Sequence, residues 1–298
     1  TKVLKSGYYV FSQIDFFNIL VRFEEDTHSL YLFLPNDNKL HKLSIKADEY
    51  IDCALECRGM LLWQLYKTEE FPEIIKKLGY DGFFENMEHL FPEVDLGKYK
   101  HRELFKPEEG ANHLYPIWNY KKRLQDHFHH WPEGVKVLRY DPDTDLDITP
   151  TRITDLYLWQ LYTGFRFPED FRAYYHNSLR SYMHWQEGSE TRANFKIEYI
   201  ERVFRKTAAE KYGLDPKKYP ELASQYIFYS DPYCDILIDV IEDDRMAFLL
   251  MMHENNPNDE TVFITDSFDW LMTRLMESRG MFYWVYYLTC KHPKDDPN

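Results

Sequence analysis

The sequence predicts an α+β protein in which helices pack on a mostly antiparallel sheet, with a diverged internal duplication. Three observations carry that expectation. Residues 8–66 and 226–287 share one order of features: an aromatic run closing on serine (8–12, 226–230), a short apolar strand (18–21, 235–238), an acidic turn (Glu25-Asp26, Glu242-Asp243), a second strand, a polar loop, an amphipathic helix and an Arg-Gly-Met-x-x-Trp exit. The two copies are spaced by 235 − 18 = 217 residues at the first strand and by 279 − 58 = 221 at the exit arginine, a drift that loops can absorb. Within each copy the apolar period changes from that of strands to that of a helix.

The elements follow in order. Residues 8–45 read as a meander, because runs rich in Tyr, Phe, Ile, Leu and Val alternate with the turn signals Glu24-Glu25-Asp26 and Pro35-Asn36-Asp37-Asn38. Ala47, Tyr50, Ile51, Ala54 and Leu55 then share one helical face, Arg58 falls in the last turn and Gly59 supplies a left-handed stop. Phe268, Leu271, Met272, Leu275 and Met276 repeat that face, with Asp266 or Ser267 as the cap and Arg279-Gly280 as the stop. A further echo joins Trp63-Gln-Leu-Tyr66 and Phe71-Pro-Glu73 to Trp159-Gln-Leu-Tyr162 and Phe167-Pro-Glu169. In both places Pro-Glu opens a helix, near 72–78 and 168–176, where proline and an acid suit the first turn. The first set of strands lacks a preceding helix of this kind within the sequence.

Residues 80–150 are rich in breakers and read as a connector with short helices and a strand at 135–140, the domain junction falling near 141–147. Residues 193–212 read as a helix with Phe195, Ile197, Ile200, Val203, Phe204 and Ala208 inward. The expected division is residues 1–145, a partial unit plus connector, and residues 146–298, an α+β domain with a helical insertion at 193–222.

Composition bounds the function. Hydrophobic residues are 44% of the 298 and aromatics 17%, enough for a substantial core and against global disorder. The formal net charge of −14 repels nucleic-acid phosphates and anionic membranes and attracts basic partners. No stretch approaches 18 consecutive apolar residues, so no transmembrane helix is expected. The four cysteines, Cys53, Cys57, Cys234 and Cys290, form no C-x-x-C pair and suit a reducing, cytoplasmic setting. The chain begins at Thr1 rather than Met, which leaves a processed leader open.

Chemistry-bearing motifs are few. Gly-x-Ser-x-Gly, phosphate-cradling loops and the dinucleotide fingerprint are missing from the sequence, and Cys234 with His253 has no local support as a thiol–base pair. The run Asp126-His127-Phe128-His129-His130 is the best enzyme candidate, a metal-dependent hydrolase. Adjacent residues rarely converge on one centre, so a solvent-facing histidine-rich loop is the simpler account. Asp235, Asp239, Glu242, Asp243 and Asp244 crowd one strand and its turn, where carboxylates serve a turn or a basic partner better than acid–base catalysis. No catalytic residue, metal or cofactor is assigned.

Residues 149–278 resemble the SUKH superfamily, which includes fungal cell-wall-assembly regulators and bacterial toxin-immunity proteins. The resemblance rests on a helix near 153–161, on Phe167-Pro-Glu-Asp-Phe-Arg-Ala-Tyr-Tyr-His-Asn177, similar to the family's Leu-Pro-x-Asp-Tyr-x-x-Phe-Leu helix, on the strand 235–239, and on Thr265-Asp-Ser-Phe-Asp-Trp-Leu271, similar to its final Ser-Phe-x-x-Phe-Leu helix. Residues 8–60 look like the strand-and-final-helix half of a second unit. The chain departs from the family at Asn177-Ser178, where Asn-Gly is expected, and in lacking a clear central Trp and glycine-rich turn. The resemblance implies an α+β module that binds protein partners and does not catalyse. Bacterial members neutralise a toxin, often a nuclease, by stoichiometric binding. The expectation is therefore an immunity protein, with a non-catalytic regulatory scaffold as the alternative. Its contact face is drawn from Asp231, Tyr233, Asp235, Glu242, Asp243 and Asp244, with Trp185 as a contributor.

Overall fold

The computed structural model describes residues 7–14, 16–36, 38–78, 83–99, 120, 123, 135–142, 150–177, 181–187, 190–197, 199–230, 234–252 and 261–278. The chain is α+β and divides into two units, Thr1–Ala111 with Thr149–Arg166, and Asn112–Ile148 with Phe167–Asn298.

The first unit is built on an antiparallel meander, β1 (Tyr8–Ile14), β2 (Phe17–Glu24), β3 (Thr27–Leu34) and β4 (Lys39–Lys42), in consecutive order. Strict alternation in β3 buries Leu30, Leu32 and Leu34 and leaves Ser29, Tyr31 and Phe33 less covered, so one face of the sheet takes the core. Phe17, Ile19 and Val21 of β2 join that face. Against it lie Tyr50 and Cys53 of α1 (Ala47–Glu56) and the 3-10 turn Trp63–Lys67, each fully buried apolar side chain contributing about 1.5–3 kcal/mol. Helices α2 (Glu73–Leu78), α3 (Phe83–Leu90) and α4 (Pro150–Thr163) close the core, α4 packing on both others and supplying Tyr157, Leu158 and Leu161. Gly164, at φ +83°, ends α4 in the left-handed region, while the Asn36 amide donates to the Leu161 and Tyr162 carbonyls.

In the second unit, β5 (Val135–Pro142), β6 (Ser181–Glu187) and β7 (Glu190–Ile197) form a three-stranded antiparallel sheet, and α5 (Glu169–Asn177) precedes β6. Short helices α6 (Ile200–Phe204) and α7 (Ala208–Tyr212) lead to a second meander, β8 (Gln225–Ser230), β9 (Cys234–Glu242), β10 (Arg245–Met252) and β11 (Val262–Thr265), followed by α8 (Phe268–Glu277). Here burial is continuous through residues 234–238 and 246–250, because both faces of the sheet are covered. Ile227, Leu237, Ala247 and Leu249 meet Ala208, Ala209 and Leu222 on one side. On the other, Phe228 and Phe248 meet Phe268 of α8 at ring separations of 5.8 and 5.9 Å.

The two meanders agree in detail. Phe11 is bulged out between the pairs Val10↔Leu20 and Ser12↔Ile19, and Phe228 between Ile227↔Leu237 and Tyr229↔Ile236. Both bulges sit at one offset, 227 − 10 = 237 − 20 = 217.

Three expectations change. Residues 190–197 are a strand, not the start of a helix over 193–212; β7 pairs with β6 from Ser181↔Ile197 to Glu187↔Glu190, and helix is confined to α6 and α7. On α1 the buried side chains are Tyr50 and Cys53, with Cys57 just beyond, whereas Ile51 and Leu55 are 54% and 70% exposed. Arg58 stands outside α1 at φ +52°, paired with Glu93 and lying over Phe91. By contrast Phe268, Leu271, Met272, Leu275 and Met276 are all buried, and the Ser267 hydroxyl accepts the Trp270 N–H at 3.2 Å as the cap of α8. The stop at Arg279-Gly280 lies outside the described residues.

Candidate functional site

The hairpin joining β9 to β10 presents acidic charge. Glu242 and Arg245 pair across the turn, leaving Asp243-Asp244 as a two-residue loop, and Asp244 takes φ +58°, a conformation Asp tolerates better than most residues. The Arg245 guanidinium donates to the Glu242 carboxylate at 2.8 Å. Both side chains are more than half exposed, so the pair adds at most about 1 kcal/mol, and the turn keeps a net negative charge. The β2–β3 hairpin ends alike, with Glu24 opposite Thr27 and Glu25-Asp26 between them.

The other expected contact residues do not gather there. Asp235 is fully buried near the far end of β9, opposite Ser230 and Met251. It lies 242 − 235 = 7 positions from Glu242, about 23 Å along a strand. Its carboxylate is enclosed because both sheet faces are covered, so Asp235 leaves the contact face. Trp185 lies on β6 opposite Val137 and Ala193, with its side chain outside the described residues. Asp231, Tyr233, His253 and the histidines at 127, 129 and 130 also lie outside them.

A second polar constellation holds the second unit together. The Asp170 carboxylate accepts the Phe171 and Asp269 backbone N–H groups, each at 2.8 Å, and so caps the first turns of α5 and α8. The Asp269 carboxylate accepts from Tyr120 at 3.0 Å and from Arg123 at 2.5 Å, and Arg123 also donates to the Thr273 hydroxyl at 2.7 Å. Burial raises the Asp170 pKa, partly offset by the backbone donors, and raises that of Tyr120 strongly, aided by Asp269. Among the described residues these bonds tie the first turns of α5 and α8 together and fix Arg123 along α8.

Burial makes Cys53 and Cys57 poor nucleophiles. Cys57 Sγ lies 2.8 Å from the Tyr99 hydroxyl, and burial pushes its pKa up to about 11; burial also raises that of Cys53. Among the described residues no group of His, Cys, Asp and Glu has the arrangement to hold a metal ion. No helix among them is long and apolar enough to cross a membrane.

No protein-family model, curated protein or solved structure matches the chain. The site therefore rests on its own geometry, which includes residues the sequence pattern misplaced. Ile51 and Leu55 of α1, with Tyr9, Val10 and Phe11 of β1 and Phe23 of β2, are exposed by 36% or more. Asp48 and Asp52, also exposed, share α1 with the first two. The signal for this reversal was present: Tyr50, Cys53 and Cys57 are spaced i, i+3, i+7, a helical face made partly of small thiols.

Proposed function

We propose that this chain is a non-catalytic protein-binding module for a basic partner, and that it acts as an immunity protein, neutralising a toxin such as a nuclease by stoichiometric binding. The observation that carries the reading is the pair of acidic hairpin turns, Glu24-Glu25-Asp26 and Glu242-Asp243-Asp244, projecting from a chain of net charge −14. Acidic turns on a chain of this charge steer a cationic protein into encounter and repel nucleic acid. The finer reading, immunity, draws on the SUKH resemblance of residues 149–278 and on the basic surroundings of nuclease active sites. The test is co-expression with the toxic product of the adjacent gene, with Glu242→Lys/Asp243→Lys as the comparison. Protection by the wild type, a one-to-one complex that weakens steeply with salt, and loss of protection in the double variant support the reading. A partner that is not basic, or protection indifferent to the charge reversal, overturns it.

A further inference from the structure

We propose that the outer flank of α1, together with Tyr9 and Phe11, is a docking site for a basic, aromatic amphipathic helix supplied by a partner protein. The inference deepens the reading above and rests on it for the partner's charge. The protein's second unit shows how such a helix is covered, Phe268 meeting Phe228 and Phe248 of the sheet as well as α5. Phe268, Met272 and Met276 form one stripe of α8 and are each no more than 2% exposed. Phe171 and Tyr174 of α5 lie 5.1 and 5.4 Å from the Phe268 ring, and Arg123 grips Asp269 and Thr273 on the same helix. At the helix offset the counterparts are Ala47, Ile51 and Leu55 for the stripe (268 − 47 = 272 − 51 = 276 − 55 = 221), and Asp48 and Asp52 for the arginine-bound pair (269 − 48 = 273 − 52 = 221).

In the first unit Ala47 packs against the core, but nothing of this kind covers Ile51 and Leu55 among the described residues. Ile51 is 54% exposed and Leu55 70%. At the strand offset of 217, Phe11 is 36% exposed where Phe228 is 1%. Phe11 lies against Tyr50 of α1 at 5.4 Å, which puts it beside the helix, and Tyr9, two residues earlier on β1, lies 5.9 Å from Phe23. So α1 presents an apolar stripe bordered by two carboxylates, where α8 receives aromatic rings and a guanidinium. Charge also selects the occupant. Between Ala47 and Glu56 there are four carboxylates and no basic residue; Glu56 pairs with Lys98, and Asp48, Glu49 and Asp52 would meet like charges in a second copy of this chain, whereas an arginine-bearing helix would pair them.

The test uses the full chain and a fluorescein-labelled helical peptide of about 15 residues, roughly four turns, with Phe and Tyr on one stripe and Arg on its borders. Saturable binding by anisotropy is expected, absent for a scrambled peptide. Leu55→Glu and, separately, Ile51→Ser should weaken it at least tenfold, and Asp48→Asn/Asp52→Asn several-fold with a flatter salt dependence. Both apolar positions are exposed, so these variants should retain the wild-type circular dichroism and Tm. Equal binding of the scrambled peptide, or α1 variants that bind like the wild type, overturns the site. A wild-type dimer that Leu55→Glu dissociates overturns the partner in favour of a second copy. If an Arg→Gln peptide binds equally well while Leu55→Glu still abolishes binding, the surface stands and the basic-partner reading fails. If Arg→Gln matters and the α1 variants do not, that reading stands and this site fails.

Discussion

Asp170 and Asp269 lie 99 residues apart, yet the side chain of the first accepts the backbone N–H of the second at 2.8 Å. The same carboxylate accepts the Phe171 N–H, so one side chain satisfies a donor in the first turn of each of two helices. Removing it orphans both. Asp170→Ala should cost about 1–3 kcal/mol, read as a shift in urea midpoint of the second unit. A loss below a few tenths would mean that water replaces the carboxylate freely.

The same residue makes a pH prediction. Burial raises its pKa, so the native carboxyl keeps its proton to higher pH than the unfolded one. The proton-linked contribution is complete below the unfolded value, about 4, and is lost as pH rises through the native value. The stability difference between wild type and Asp170→Asn, which cannot titrate, should therefore shift in favour of the wild type as pH falls from neutral toward about 4. Paired urea unfolding across that range checks it; a shift in the opposite direction would show that the backbone donors outweigh desolvation.

Phe268 and Leu55 test the asymmetry between the two helices. Phe268 is 1% exposed and its ring has Tyr120, Phe171, Tyr174, Phe228 and Phe248 within 5.9 Å. Phe268→Ala should cost about 3–5 kcal/mol. Leu55→Ser, on the corresponding stripe of α1, should stay within about 0.5 kcal/mol of wild type. Thermal melts of the two variants suffice, and a large loss for Leu55→Ser would mean that its stripe is covered in solution.

These helices also mark how far the sequence could be read. The meanders were legible because alternation and acidic turns are local signals, and the stripe of α8 because large apolar residues fill it completely. On α1 the same spacing of Ala47, Ile51 and Leu55 misled, since burial follows the partner surface, and here the sheet and the 3-10 turn face Tyr50, Cys53 and Cys57 instead. Strand β7 was missed for a related reason. Phe195, Ile197, Ile200, Val203 and Phe204 can be laid on a helix, a reading that passes over Gly188-Ser189, a hairpin signal between two strand-length runs. Asp235 enters the expected contact face because it shares a strand with the acidic turn, but β9 has no wet face along residues 234–238.

The covering of that sheet depends on a small cap. The Thr207 hydroxyl accepts the Glu210 N–H at 3.3 Å and the Glu210 carboxylate accepts the Thr207 N–H at 2.9 Å, while Thr207 also bridges to Tyr226 of β8. This reciprocal cap starts α7, whose Ala208 and Ala209 are fully buried against the sheet. Thr207→Ala should cost about 1 kcal/mol, and Thr207→Ser much less, since serine restores the acceptor. Equal losses for the two would assign the effect to the threonine methyl rather than to the cap.

Cys57 is fully buried against the Tyr99 hydroxyl with its pKa pushed up to about 11, and Cys53 is raised in the same pocket. At pH 8 a thiol of that pKa is about 0.1% thiolate, and the thiolate is the species that reacts. Burial removes the reagent as well as the charge, so both effects point one way. In a variant retaining only Cys53 and Cys57, with Cys234 and Cys290 replaced by Ala, modification by an aromatic disulfide should be slow in the native state. It should become fast once urea unfolds the first unit, and the rate against urea should follow the unfolding curve. A native rate near that of a free thiol would place these cysteines within reach of solvent and return them to the list of candidate nucleophiles.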